Sequence, residues 1–127
     1  MTSGYDTTAV LTAKLRLVLP PGTKVLVVNQ QTEPQLRRDL EDLFDWKITW
    51  YSLGDSGGIR KAGAAAEAIR NGSYALVLGS TGLFAHKYDK LIAVAARNAA
   101  TPYVRVNKGR VGISVVAIAR SLGLLGA

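Results

Sequence analysis

An α/β fold built on a parallel sheet is what this sequence predicts, and three observations predict it. Short β-branched runs such as KVLVVN at 24–29 are continuously apolar, as in strands covered on both faces. Between them lie longer stretches whose apolar residues recur at helical spacing. The order is a helix followed by four strand–helix units, and strands alternating with helices imply a parallel sheet with helices on both faces. Right-handed crossovers between four strands suggest the order 2-1-3-4. The expectation is therefore a single Rossmann-like domain with an added N-terminal helix. Residues 1–22 form that helix and its turn, and 23–127 the Rossmann-like domain.

Each element has its own reason. Residues 5–19 carry Val10, Leu11, Leu15 and Val18 at helical spacing, with Asp6 or Thr7 able to cap, and Pro20-Pro21-Gly22 stops them. The first strand is 24–29. Thr32-Glu33-Pro34-Gln35 reads as a helix start: Thr32 as cap, Gln35 three residues on, Pro34 in the first turn. That helix runs to about Asp45, with Leu36, Leu40, Leu43 and Phe44 inward. KITWYSL at 47–53 is the second strand, with the loop 54–58 after it. The alanine-rich 59–70 is helical and ends at Asn71-Gly72. YALVLG at 74–79 is the third strand, and 82–100 the next helix, with Leu83, Leu91, Ile92, Val94 and Ala95 inward. PYVRVN at 102–107 is the fourth strand. The last helix, 110–125, carries Val111, Val115, Ile118, Leu122 and Leu125. Trp46, Trp50 and Tyr51 are expected to pack under or beside the sheet.

Composition narrows the function classes. A chain of 127 residues fits one domain with one core. No apolar run reaches the ~20 residues that span a bilayer, and MTSGYDTT lacks the basic-then-apolar pattern of a secretory signal, so a cytoplasmic location is expected. The absence of cysteine excludes disulfides, thiol nucleophiles and zinc–thiolate sites. The net charge of +7 is uneven. Residues 1–57 hold six Lys/Arg and seven Asp/Glu, for −1, while 58–127 hold ten Lys/Arg and only Glu67 and Asp89, for +8. Such an excess in one half favours an anionic partner. The competing explanation is solubility alone.

In doubly wound sheets ligands bind outside the carboxyl ends of the strands, where the strand order reverses. Here that point lies between strands one and three. The loops that meet there supply Asn29 and Gln30, then Ser80, Thr81 and Gly82, then Lys108, Arg110 and, at the last helix, Ser114. Asp55 to Gly58 form a further loop at that edge. Amides, hydroxyls and two basic side chains beside helix N-termini suit a phosphate or carboxylate. The alternative is that Ser80 and Thr81 only cap the following helix. The pattern is not a dinucleotide fingerprint or a Walker loop: the first strand ends in Asn-Gln-Gln without glycine.

Enzyme readings have less support. His86 and Asp89 lie three apart on one helix, and no G-x-S-x-G elbow occurs. Asp55 has no second carboxylate at the edge, and a single histidine without cysteine disfavours a transition-metal site.

Residues 74–125 combine an apolar strand, Ser80-Thr81, His86 in the next helix, Ala95 and Ala96 before a turn, Pro102 opening a strand, and Gly112-Ile113-Ser114 opening the last helix. This combination resembles an uncharacterised bacterial family filed as a domain of unknown function, whose members look like small Rossmann-like modules; residues 24–73 resemble it only in layout. The resemblance implies a link to iron or haem with histidine as ligand, and His86 matches that position. The chain departs from the pattern at Ala85, where the family has serine, and in the absence of a glycine pair after the first strand. With no second histidine, haem would need an open axial position or a second copy.

Lys87, Lys90 and Arg97 lie at three- and seven-residue spacing, roughly on one helix face. With Lys108 and Arg110 they could bind DNA or RNA through phosphates, although no sequence-reading motif is present. A solvated helix face is the alternative. The apolar N-terminal helix packs either on its own sheet or on a second copy, and a homodimer is the expectation. The sequence thus points to a non-catalytic regulatory or binding module. It recognises a small anionic ligand, a nucleotide or phosphorylated metabolite, at Asn29, Gln30, Ser80, Thr81, Gly82, His86, Lys108, Arg110 and Ser114. Nucleic-acid binding is the alternative, and haem sensing through His86 the second.

Overall fold

The computed structural model describes residues 8–29, 33–54, 58–80, 86–106 and 111–123, with backbone only at Thr8, Ser80, His86 and 111–113. The elements run α1 (Thr8–Val18), β1 (Lys24–Asn29), α2 (Pro34–Phe44), β2 (Lys47–Ser52), α3 (Gly58–Asn71), β3 (Leu76–Ser80), α4 (His86–Asn98), β4 (Tyr103–Val106) and α5 (Val111–Ser121). The sheet has four strands in the order β2-β1-β3-β4, and every pairing is parallel. This is the α/β architecture and strand order expected. Among the described residues no helix is long and apolar enough to cross a membrane.

Strand alternation divides the core. Val25, Val27, Leu76, Leu78, Val104 and Val106 face α1, α2 and α5, and Leu26, Val28 and Val77 face α3 and α4. The second layer is made thin by alanine: Ala62, Ala65, Ala66, Ala95 and Ala96 let α3 and α4 lie close to the sheet and to each other. In the first layer Phe44 and Trp46 stack at 4.1 Å, and the buried Trp46 indole donates to the Leu19 carbonyl at 2.9 Å. Trp50 packs at the margin of this layer and Tyr51 at that of the other.

Several local expectations change. The buried stripe of α1 is Leu11, Thr12, Leu15 and, just past its end, Leu19, whereas Val10 and Val18 are exposed. The helix packs on α5 and α2 of its own chain, so Leu11 and Leu15 join the core. In α4, Val94 is exposed and Leu91 only partly covered; Ile92, Ala95 and Ala96 face the sheet. Helix α2 is capped at Glu33, with no side-chain cap bond, and Pro34 occupies its first turn. The expected capping partner Gln35 instead donates to Asp39 one turn along, at 2.7 Å. Thr32 lies outside the described residues. Strand β3 begins at Leu76, and Tyr74 turns aside to bond Thr49 Oγ1 at 3.1 Å beneath the Lys24 ammonium.

Candidate functional site

The site is built where β1 and β3 end. Asn29 closes β1, and alternation directs it to the same face as Val25 and Val27. It is buried, and its carbonyl accepts the Leu53 amide at 2.8 Å, which fixes the backbone as the chain leaves the strand. Its side-chain Nδ2 donates to a Glu33 carboxylate oxygen. Glu33 is also the N-cap residue of α2, where its side chain makes no cap bond. Ser114 sits one turn into α5, fully buried, and its Oγ has no hydrogen-bond partner. Val27, Asn29, Glu33, Leu36, Leu78, Gly79, Val106 and Ser114 line one crevice, with about 250 Å³ of empty space including open solvent. Only about one water-sized group fits its enclosed part.

Of the expected residues, the structure brings Asn29 and Ser114 together in this crevice. Ser80 ends β3 in register with Val106, and His86 begins α4; the side chains of both lie outside the described residues, as do Gln30, Thr81, Gly82, Lys108 and Arg110 entirely. Lys87, Lys90 and Arg97 are exposed on α4. Lys87 and Lys90 border, with Leu91 and Val94, an open groove on that helix, and the Lys87 ammonium lies 5.3 Å from the Tyr88 ring centre. Among the described residues no cluster of three metal-ligating side chains occurs. The haem expectation rests on His86, whose side chain lies outside the described residues.

In the sequence Glu33 stands only as part of a helix start. The sequence signal for its place in the crevice is its position four residues after Asn29, at the edge where doubly wound sheets generally take ligands. A second group gathers Tyr103, Asp89 and Arg105. Tyr103 Oη donates to Asp89 Oδ1 at 2.7 Å, and Arg105 Nε reaches both Asp89 oxygens at 2.9 and 3.2 Å. The Arg105 guanidinium also lies 4.8 Å from the Tyr103 ring centre. Burial, then the hydrogen bond to Asp89, then that carboxylate's charge, push the Tyr103 phenol far above its ordinary value. The Asp89 hydrogen bond likewise raises Arg105. Tyr103 is therefore a proton donor locked to Asp89, unsuited to acid–base exchange near neutrality. Gly79 serves this cluster: a Cβ there would stand 2.3 Å from Tyr103 Oη and 2.6 Å from its Cε1. Glycine at this position makes room for a ring on the α4 side of the sheet.

Comparison of the chain with protein-family models, with curated proteins and with solved structures gives no match. The fold and the crevice therefore carry the functional argument.

Proposed function

We propose that this protein is a non-catalytic binding or regulatory module that takes a small anionic ligand at the carboxyl edge of its sheet. The observation that carries the reading is Ser114: a fully buried hydroxyl without a partner, lining a crevice one turn inside a helix N-terminus. Burying an unpaired hydroxyl costs about 1–3 kcal/mol, and a ligand that pairs with it recovers that cost. The first turn of α5 offers unpaired amides and a partial positive charge, which suit a phosphate or carboxylate. The crevice also lies at the reversal of strand order. Tyr103 and Asp89 are engaged with each other. Nucleotides and phosphorylated metabolites are the ligand class proposed.

A thermal-shift screen against inorganic phosphate, nucleotides and phosphorylated metabolites tests this. Ligand at a hundredfold excess over Kd stabilises by about 2.7 kcal/mol, on the order of 10 °C for a domain of this size. The expected result is such a shift in the wild type and a smaller one in Ser114→Ala. No shift with any anion would overturn the reading.

A second reading, phosphate-driven binding of DNA or RNA, is favoured by the exposure of Lys87, Lys90 and Arg97 along one helix. It uses a different surface, so the two can be told apart by mutation.

A further inference from the structure

Glu33 sits awkwardly with a bare anion, because it lines the same crevice as Asn29 and Ser114, and its carboxylate accepts from Asn29 Nδ2. Like charges in a partly dry crevice repel. The enclosed part is also too small for a phosphate, admitting about one water-sized group. Its remaining lining is Val27, Leu36, Leu78, Gly79 and Val106, so the polar side chains on offer to a group entering it are Glu33, Asn29 and Ser114. A hydroxyl meets that demand: its proton goes to the Glu33 carboxylate, and its oxygen accepts from Ser114 Oγ. An ammonium would bring three donors and a full charge into an apolar floor, at greater desolvation cost.

We infer that the crevice is a hydroxyl-recognition pocket, so that the ligand is a hydroxyl-bearing phosphate ester, a phosphorylated polyol or sugar, with one hydroxyl seated between Glu33 and Ser114. This rests on the anion-binding reading above and narrows it. The phosphate stays outside the floor, toward the first turn of α5. The pairing gives Ser114 Oγ the partner it lacks without displacing the bond between Asn29 and Glu33, since a carboxylate has accepting capacity for both.

Isothermal titration of the full chain with glycerol 3-phosphate and with inorganic phosphate tests the inference. A hydrogen bond to a charged acceptor predicts that glycerol 3-phosphate binds about tenfold to a hundredfold tighter. In Glu33→Gln that preference falls toward unity. Ser114→Ala, which removes an unsatisfied group and so keeps the fold, lowers it as well. Equal affinity of the two probes for the wild type would overturn the hydroxyl pocket while leaving anion binding in place. A preference that persists undiminished in both variants would place the hydroxyl elsewhere and also overturn it. Binding of neither probe would remove both proposals together.

Discussion

At the scale of single residues, two buried hydroxyls and one phenol make opposite demands on stability. Ser114 Oγ and Thr12 Oγ1 are both buried without partners, but only Ser114 lines the crevice. Replacing an unsatisfied hydroxyl by an apolar group of similar shape removes a desolvation cost. Thr12→Val and Ser114→Ala should each raise unliganded stability by about 1 kcal/mol in urea denaturation. Ligand stabilisation should survive Thr12→Val and weaken in Ser114→Ala; equal loss in both would indicate a general packing effect. Tyr103 behaves differently. Burial and Asp89 keep its proton bound more tightly in the folded protein than in the unfolded chain. The stabilisation is complete below the ordinary phenol value of about 10 and is lost as pH rises above it toward the folded value. Tyr103→Phe should cost about 1–2 kcal/mol at neutral pH through the lost hydrogen bond. It should also flatten the decline in stability above pH ~10 relative to wild type. Parallel alkaline declines would contradict the assignment.

At the scale of elements, the strands were legible and the helix faces were less so. The limits of β1 coincide with its β-branched run, because a strand covered on both faces needs apolar residues at every position. Helix α1 offers Val10, Leu11, Leu15, Leu17 and Val18, enough for more than one apolar face. Docking on α5 and α2 chooses the face of Leu11, Leu15 and Leu19 and leaves Leu17 exposed at 85%. Leu15→Ala should therefore cost about 2–5 kcal/mol, whereas Leu17→Lys should stay within about 0.5 kcal/mol. Comparable losses from the two would mean that α1 docks on another face. The candidate site was half legible for a similar reason. Asn29 and Ser114 follow from the topology, since helix N-termini and strand ends meet at a fixed edge. The bond from Asn29 to Glu33 and the Tyr103–Asp89–Arg105 cluster depend on side-chain geometry across a loop or between β4 and α4, which local periodicity does not encode. Only the two-residue spacing of Tyr103 and Arg105, placing both on one sheet face, was there to be read.

At the scale of the whole molecule, the excess of +8 in residues 58–127 already counts Asp89, so the pairing of Asp89 with Arg105 leaves that excess intact. Arg105 is tied to Asp89, while Lys87, Lys90 and Arg97 remain exposed. If these three make the phosphate contacts, binding to double-stranded DNA should fall with salt at a log–log slope of about −2.7. Lys87→Glu with Lys90→Glu should then weaken all sequences alike, because phosphate contacts carry no direct sequence information. A gel-shift titration at several salt concentrations checks this, and affinity that ignores salt would contradict it. The crevice and the basic face of α4 lie on opposite layers of the sheet, since α5 and α2 cover one face and α4 the other. A residue-resolved experiment therefore separates them. The most direct is a titration of the ¹⁵N-labelled protein with glycerol 3-phosphate, followed by amide chemical shifts. The largest changes are predicted at Asn29, Glu33 and the first turn of α5 through Ser114, with Lys87, Lys90 and Arg97 little moved. Changes centred on those three α4 residues, or none at all, would contradict a ligand site at the carboxyl edge.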